Sequence, residues 1–136
     1  MSTVIRPEIS DKNKYWISRH RYYELKHFCL QYPDWKKELC ETRFMNSKSI
    51  IRISKFSQGE DSVYKAVERS LYLKEQIDLV DACAKDTDEY LGRYILKAVT
   101  EDRSYTYLKT RLDIPCSKGT YYDRYRRFFY ILDKRR

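Results

Sequence analysis

Residues 104–134, SYTYLKTRLDIPCSKGTYYDRYRRFFYILDK, decide the fold of this chain. Ser104 can cap a short helix over 104–112, with Tyr105, Leu108 and Leu112 inward. Pro115 disfavours helical geometry at Ile114 and so ends it near Asp113. Ser117 caps a longer helix running to about Lys134, because its hydroxyl can accept from the exposed N–H groups of the first turn. At 100° per residue, Tyr121, Tyr125, Phe128 and Leu132 fall within one narrow arc, beside Tyr122 and Phe129. The opposite arc carries Gly119, Thr120, Asp123, Arg126, Arg127 and Tyr130, flanked by Lys118 and Arg124. The pattern predicts a short helix, a turn and a second helix with one aromatic face and one cationic face.

Outward from that segment, the pattern stays helical. Ser18 is placed to cap a helix to about Gln31, with Tyr22, Leu25, Phe28 and Cys29 on one side. Tyr32-Pro33-Asp34-Trp35 reads as a tight corner into a second helix over about 34–43, making a helix hairpin. Residues 1–14 read as a polar arm and 44–58 as a basic linker. Val63, Val67 and Leu71, and then Leu73, Ile77, Val80 and Ala84, recur at three- and four-residue steps, predicting a long amphipathic helix with an acidic outer face. Thr87 is expected to cap the next helix, where Tyr90, Leu91, Tyr94, Ile95 and Ala98 form an apolar stripe. The expected class is all-α, with 1–58 as arm, hairpin and linker and 59–136 as a helical bundle ending in a helix-turn-helix over about 104–134.

Composition agrees and narrows the chemistry. The 136 residues hold 28 Lys+Arg and 20 Asp+Glu, a net charge of +8, with only three Gly and three Pro. So few turn formers argue against an all-β sandwich or barrel. Charge is uneven: 1–58 carries 12 basic and 6 acidic side chains, 59–102 carries 6 and 11, and 103–136 carries 10 and 3. A dense basic block interleaved with Tyr and Phe suits a polyanion partner, though a solvated basic surface reads the same way. No apolar run approaches a membrane span, and the N-terminus lacks the apolar core of a secretory signal, so a cytosolic protein is expected. Cys29, Cys40, Cys83 and Cys116 contain no C-x-x-C pair and His20 and His27 add none, so no metal, cofactor or disulfide is expected. The carboxylates of the middle lack a His or Gly-rich partner motif, and no enzymatic role is expected.

The two-helix pattern suits major-groove readout, in which the second helix presents its N-terminal residues to base edges. The candidate DNA-binding residues are Ser117, Lys118, Gly119, Thr120, Asp123, Arg124, Arg126, Arg127 and Tyr130. The stretch IPCSKGTYYDRYRRFFYIL (114–132) resembles the end of the helix-turn-helix in the ArpU/RinA class of phage late transcription regulators, themselves similar to region 4 of sigma-70 factors. The shared feature is Ser117, then Thr120 followed by a large apolar residue, then a basic helix. YWISRHRYYELKHFCLQYPDW (15–35) resembles uncharacterised prophage proteins of Gram-positive bacteria. The turn is about two residues longer than usual, Lys109 stands where a small residue is preferred, and Asp113 where Gly is common. The resemblance implies a DNA-binding transcription regulator in a host bacterial cell, acting on duplex DNA near RNA polymerase. The alternatives are a module that docks a host protein such as RNA polymerase or a defence nuclease, and a DNA-packaging recognition subunit. Base stacking on single strands is the alternative use of the exposed tyrosines.

Overall fold

The computed structural model describes residues 12–41 and 60–136. The elements are α1 (Arg19–Leu30), a helical stretch over 32–41 (α2), α3 (Glu60–Thr87), α4 (Gly92–Glu101), α5 (Tyr105–Leu112) and α6 (Lys118–Arg135). No strand occurs among the described residues, and the protein is all-α. Of the arm expected over 1–14, residues 1–11 lie outside the described residues, as does the linker over 44–58.

Contacts gather into two units. One combines the chain up to Gln31 with Leu79–Arg136, and the other is Tyr32–Asp78. Each unit therefore draws on both sides of residue 58. α3 runs through both, contributing its last nine residues to the first.

In the first unit α1 packs on α4 and α6, α4 packs on α6, and α5 rests on α4. The buried side chains are those that the 3.6-residue period places inward: Tyr22, Leu25, Phe28 and Cys29 on α1, and Tyr94, Ile95, Ala98 and Val99 on α4. α6 contributes Tyr121, Tyr125, Phe128, Phe129 and Leu132. Its rings interlock edge-on, with Phe129 5.1 Å from Tyr22, 5.0 Å from Tyr125 and 5.1 Å from Phe128 between centroids. The hydroxyls of Tyr22 and Tyr125 bond each other at 2.8 Å, so neither phenol is buried without a partner. Burial pushes the Tyr125 hydroxyl well above the usual phenol range, keeping it neutral and able to donate.

In the second unit Tyr32, Trp35, Leu73 and Ile77 are buried. Pro33 sits in the first turn of α2, where its missing N–H costs nothing. Arg69 on α3 makes two bonds to Glu38 on α2, at 2.9 and 3.0 Å.

Several sequence expectations change. Ser18 holds the N-cap position of α1 but makes no side-chain cap bond. Thr87 does not open a helix. It is the last residue of α3, buried, and its hydroxyl donates to the Cys83 carbonyl at 2.6 Å. α4 starts after Leu91 with no side-chain cap bond, and Asp88 instead braces the turn ahead of it, accepting from the N–H groups of Tyr90 and Leu91, each at 2.8 Å. Val67 and Leu71 are 47% and 58% exposed, Tyr90 is 78% exposed and Leu112 is also exposed. On α3 Val67 and Leu71 lie roughly a third of a turn round the helix from Leu73 and Ile77, because the two-residue step from Leu71 to Leu73 breaks the period.

Helix ends depend on aspartates in left-handed backbone. Asp102 (φ 54°) ends α4, where its own N–H and that of Arg103 reach the Ala98 carbonyl. Asp113 (φ 51°) ends α5, where its N–H and that of Ile114 reach the Leu108 carbonyl. Asp tolerates this conformation better than most residues, because its short polar side chain can bond locally.

Gly92 packs closely against the backbone near the end of α3. A Cβ at that position would lie 2.6 Å from the Ala84 carbonyl oxygen, a backbone atom that cannot swing aside. At Gly119, in the first turn of α6, a Cβ would meet nothing within 4 Å. Gly92→Ala should therefore destabilise by about 1–3 kcal/mol through overpacking. Gly119→Ala should be neutral or stabilise by up to about 1 kcal/mol through helix propensity. Denaturant midpoints at unchanged slope would check both.

Candidate nucleic-acid interface

α6 begins where Ser117 turns the chain out of extended backbone. The Ser117 hydroxyl accepts from the Thr120 N–H at 3.3 Å and donates to the Thr120 hydroxyl at 3.0 Å. The preceding connection, 113–117, is braced from α5. Tyr105 donates to the Cys116 carbonyl at 2.8 Å and stacks on Tyr121 at 5.4 Å, while Lys109 reaches the Ile114 carbonyl at 3.4 Å. Ile114, between them, is fully buried beside a fully buried Leu108. The connection is five residues long and held from both sides. Lys109, unusual on sequence grounds, is one of its supports.

Burying the aromatic face turns the other face of α6 outward. Ser117, Lys118, Gly119 and Thr120 are exposed at its start, and Asp123, Arg126 and Arg127 are half-exposed further along. Lys118 lies 5.6 Å over the Tyr122 ring. Tyr130 is less available than its place on the arc suggests: its ring packs 5.5 Å from Tyr15, and Lys134 lies 4.4 Å over it. That contact brings the residues just before α1 to the outer side of α6.

Arg124 is engaged within the fold. Its Nε donates to Asp88 at 2.8 Å and its Nη1 to Asp123 at 2.5 Å. The same Asp88 carboxylate that caps the turn into α4 thus clamps α6, 36 residues later in the chain. Desolvation alone would raise the pKa of Asp88, but the N–H groups of Leu91 and Tyr90 and the Arg124 guanidinium together hold it below the usual carboxylate range. From sequence, Asp88 reads as one of many solvated acidic residues. The available signal is its spacing, two and three residues ahead of Tyr90 and Leu91, which suits a side-chain cap.

The basic C-terminal block divides in two. Arg103, Arg124, Arg135 and Arg136 form ion pairs, with Glu101, with Asp88 and Asp123, with Asp86, and with Glu24. Three of those four partner sets include a carboxylate from the acidic middle of the chain. Lys109, Arg111, Lys118, Arg126, Arg127 and Lys134 make no ion pair among the described residues. All six lie on α5 or α6. Cations left without carboxylates keep their full charge for an outside anion.

No group of three or more His, Cys, Asp or Glu arranged to hold a metal occurs among the described residues, and none of the described helices is long and apolar enough to cross a membrane. Comparison with protein-family models, curated proteins and solved structures returned no match.

The Asp88–Arg124 contact generates a pH prediction. Because the folded-state value of Asp88 is lowered, its contribution is fully present above the unfolded carboxylate value of about 3.9 and is lost as pH falls through the folded value. Asp88→Asn should cost about 1–3 kcal/mol at pH 7 by weakening charge-assisted bonds. The difference from the parent should shrink on acidification to pH 3. Urea denaturation at both pH values would check this, and a constant difference would contradict it.

Proposed function

We propose that this chain is a small DNA-binding regulator of phage or prophage type, which lays the N-terminal half of α6 in the major groove of duplex DNA. The observation that carries this reading is the division of the basic block. The cations on the flanks of α6 are spent on carboxylates within the fold, while six on α5 and α6 face outward without a carboxylate partner among the described residues. Neutralising phosphates with such side chains releases condensed counterions, the main source of affinity for DNA. The braced 113–117 connection suits a helix-turn-helix, with α5 meeting the backbone and α6 presenting its first turns to base edges. Ser117 and Thr120 supply short hydroxyls for phosphate, and Arg126 and Arg127 supply guanidinium groups for phosphate or a guanine edge. The likeness of 114–132 to ArpU/RinA-type regulators supports a role in transcription and a cytoplasmic site of action.

A second reading, a module that docks a host protein, is favoured by one feature. Tyr64, Val67, Leu71 and Tyr72 are large apolar or aromatic side chains that stand exposed on α3.

Fluorescence anisotropy with labelled duplexes across a salt series tests the two. The parent should bind at low salt and weaken steeply as salt rises. The Lys118→Ala/Arg126→Ala/Arg127→Ala variant should keep the parent's melting temperature, bind more weakly and show a shallower slope, by about 0.9 for each phosphate contact removed. Arg124→Ala, in contrast, should lower stability through the lost Asp88 contact. Absence of measurable binding to any duplex at low salt would overturn the DNA reading in favour of protein docking.

A further inference from the structure

An acidic side chain stands in the middle of the proposed DNA-facing surface. Asp123 is one helical turn beyond Gly119 and Thr120 and one turn before Arg126 and Arg127, near the centre of the outward arc of α6. A carboxylate there opposes phosphate binding, and simple charge attraction would be better served by almost any other residue. Yet the group is held in place. Arg124 donates to its Oδ2 at 2.5 Å, and Arg124 is itself fixed by Asp88 at 2.8 Å. The Asp88–Arg124–Asp123 chain therefore orients one carboxylate from the body of the fold and leaves Oδ1 without a bond to Arg124. The Asp123 side chain stays 43% exposed, and Gly119, one turn earlier, presents no Cβ and open space in front of it.

We propose that Asp123 is a specificity-determining residue that accepts a hydrogen bond from the exocyclic amine of a cytosine in the major groove. This rests on the DNA-binding reading and adds to it the base that is read. Among major-groove edges, cytosine N4–H₂ is a donor that suits a carboxylate, whereas guanine offers only acceptors, N7 and O6, that repel one. Adenine also offers a donor but places the N7 acceptor beside it, a pair matched by an amide rather than by a carboxylate. Arg127, four residues on and thus about 6 Å along the helix axis, is positioned to reach a neighbouring guanine or phosphate. Arg124 is a positioning residue: it fixes the carboxylate and itself stays with Asp88.

The test is selection of bound duplexes from a randomised pool with the full chain, for the parent, Asp123→Ala and Asp123→Asn, followed by anisotropy on the selected site and on single-base variants of it. The parent should enrich cytosine at one position and discriminate against its replacement by about tenfold or more. Asp123→Ala should level the preference at that position alone and bind unrelated duplexes as well as the parent or better, since a charge opposing phosphate is gone. Asp123→Asn should shift the same position toward adenine. If Asp123→Ala binds with the parent's base preferences intact at every position, the assignment is wrong while the DNA reading stands. If the parent binds no duplex, both fall.

Discussion

Tyr121, Tyr125, Phe128, Phe129 and Leu132 must leave water together, and α6 can bury them only by turning its opposite side outward. These five side chains lie on one face of a single helix and meet α1 and α4. Full burial of side chains of this size stabilises by about 1.5–3 kcal/mol each, far more than any surface ion pair contributes. The rotation of α6 about its own axis is therefore set by its aromatic face. The position of every cation along it follows, and the outward face is a by-product of the core.

Electrostatics then sorts those cations. The chain looks, as a sequence, like two basic ends around an acidic middle. In the fold, Asp86, Asp88 and Glu101 from that middle lie beside Arg135, Arg124 and Arg103, and Glu24 of α1 lies beside Arg136. The acidic segment neutralises the edges of the basic one and leaves its centre charged. Asp88 shows how economical the arrangement is: one carboxylate accepts from two backbone N–H groups in the turn before α4 and from the arginine that clamps α6.

Local signals were readable in the sequence, and contacts between distant segments were not. The α5 and α6 caps at Ser104 and Ser117 follow from residue type and position, and the structure has both. The inward faces of α1, α4 and α6 follow from periodicity. Thr87 and Asp88 are adjacent and both suit a cap by residue type, but α3 continues to Thr87 and the Asp88 side chain serves the turn before α4. The two-residue step from Leu71 to Leu73 turns Val67 and Leu71 away from Leu73 and Ile77, and of the two pairs only the second is buried. The outward arc of α6 was legible as a surface. The Arg124 contact to Asp88, 36 residues away, and the packing of Tyr130 on Tyr15 have no signature in the local sequence. Asp102 and Asp113 end helices in left-handed backbone where glycine is the usual choice, which is why the turn after α5 reads as atypical before its bonds are seen.

The central claim, that the aromatic face of α6 aims an unneutralised cationic face at DNA, is tested most directly by following backbone amide resonances while a short duplex is titrated into the full chain at low salt. The account predicts that the largest shifts cluster on the outward positions from Ser117 to Arg127 and on the exposed side of α5, disappear as salt is raised, and spare the amides around Tyr64, Val67 and Leu71. Shifts concentrated on α3, or none at all anywhere on α5 and α6, would contradict it.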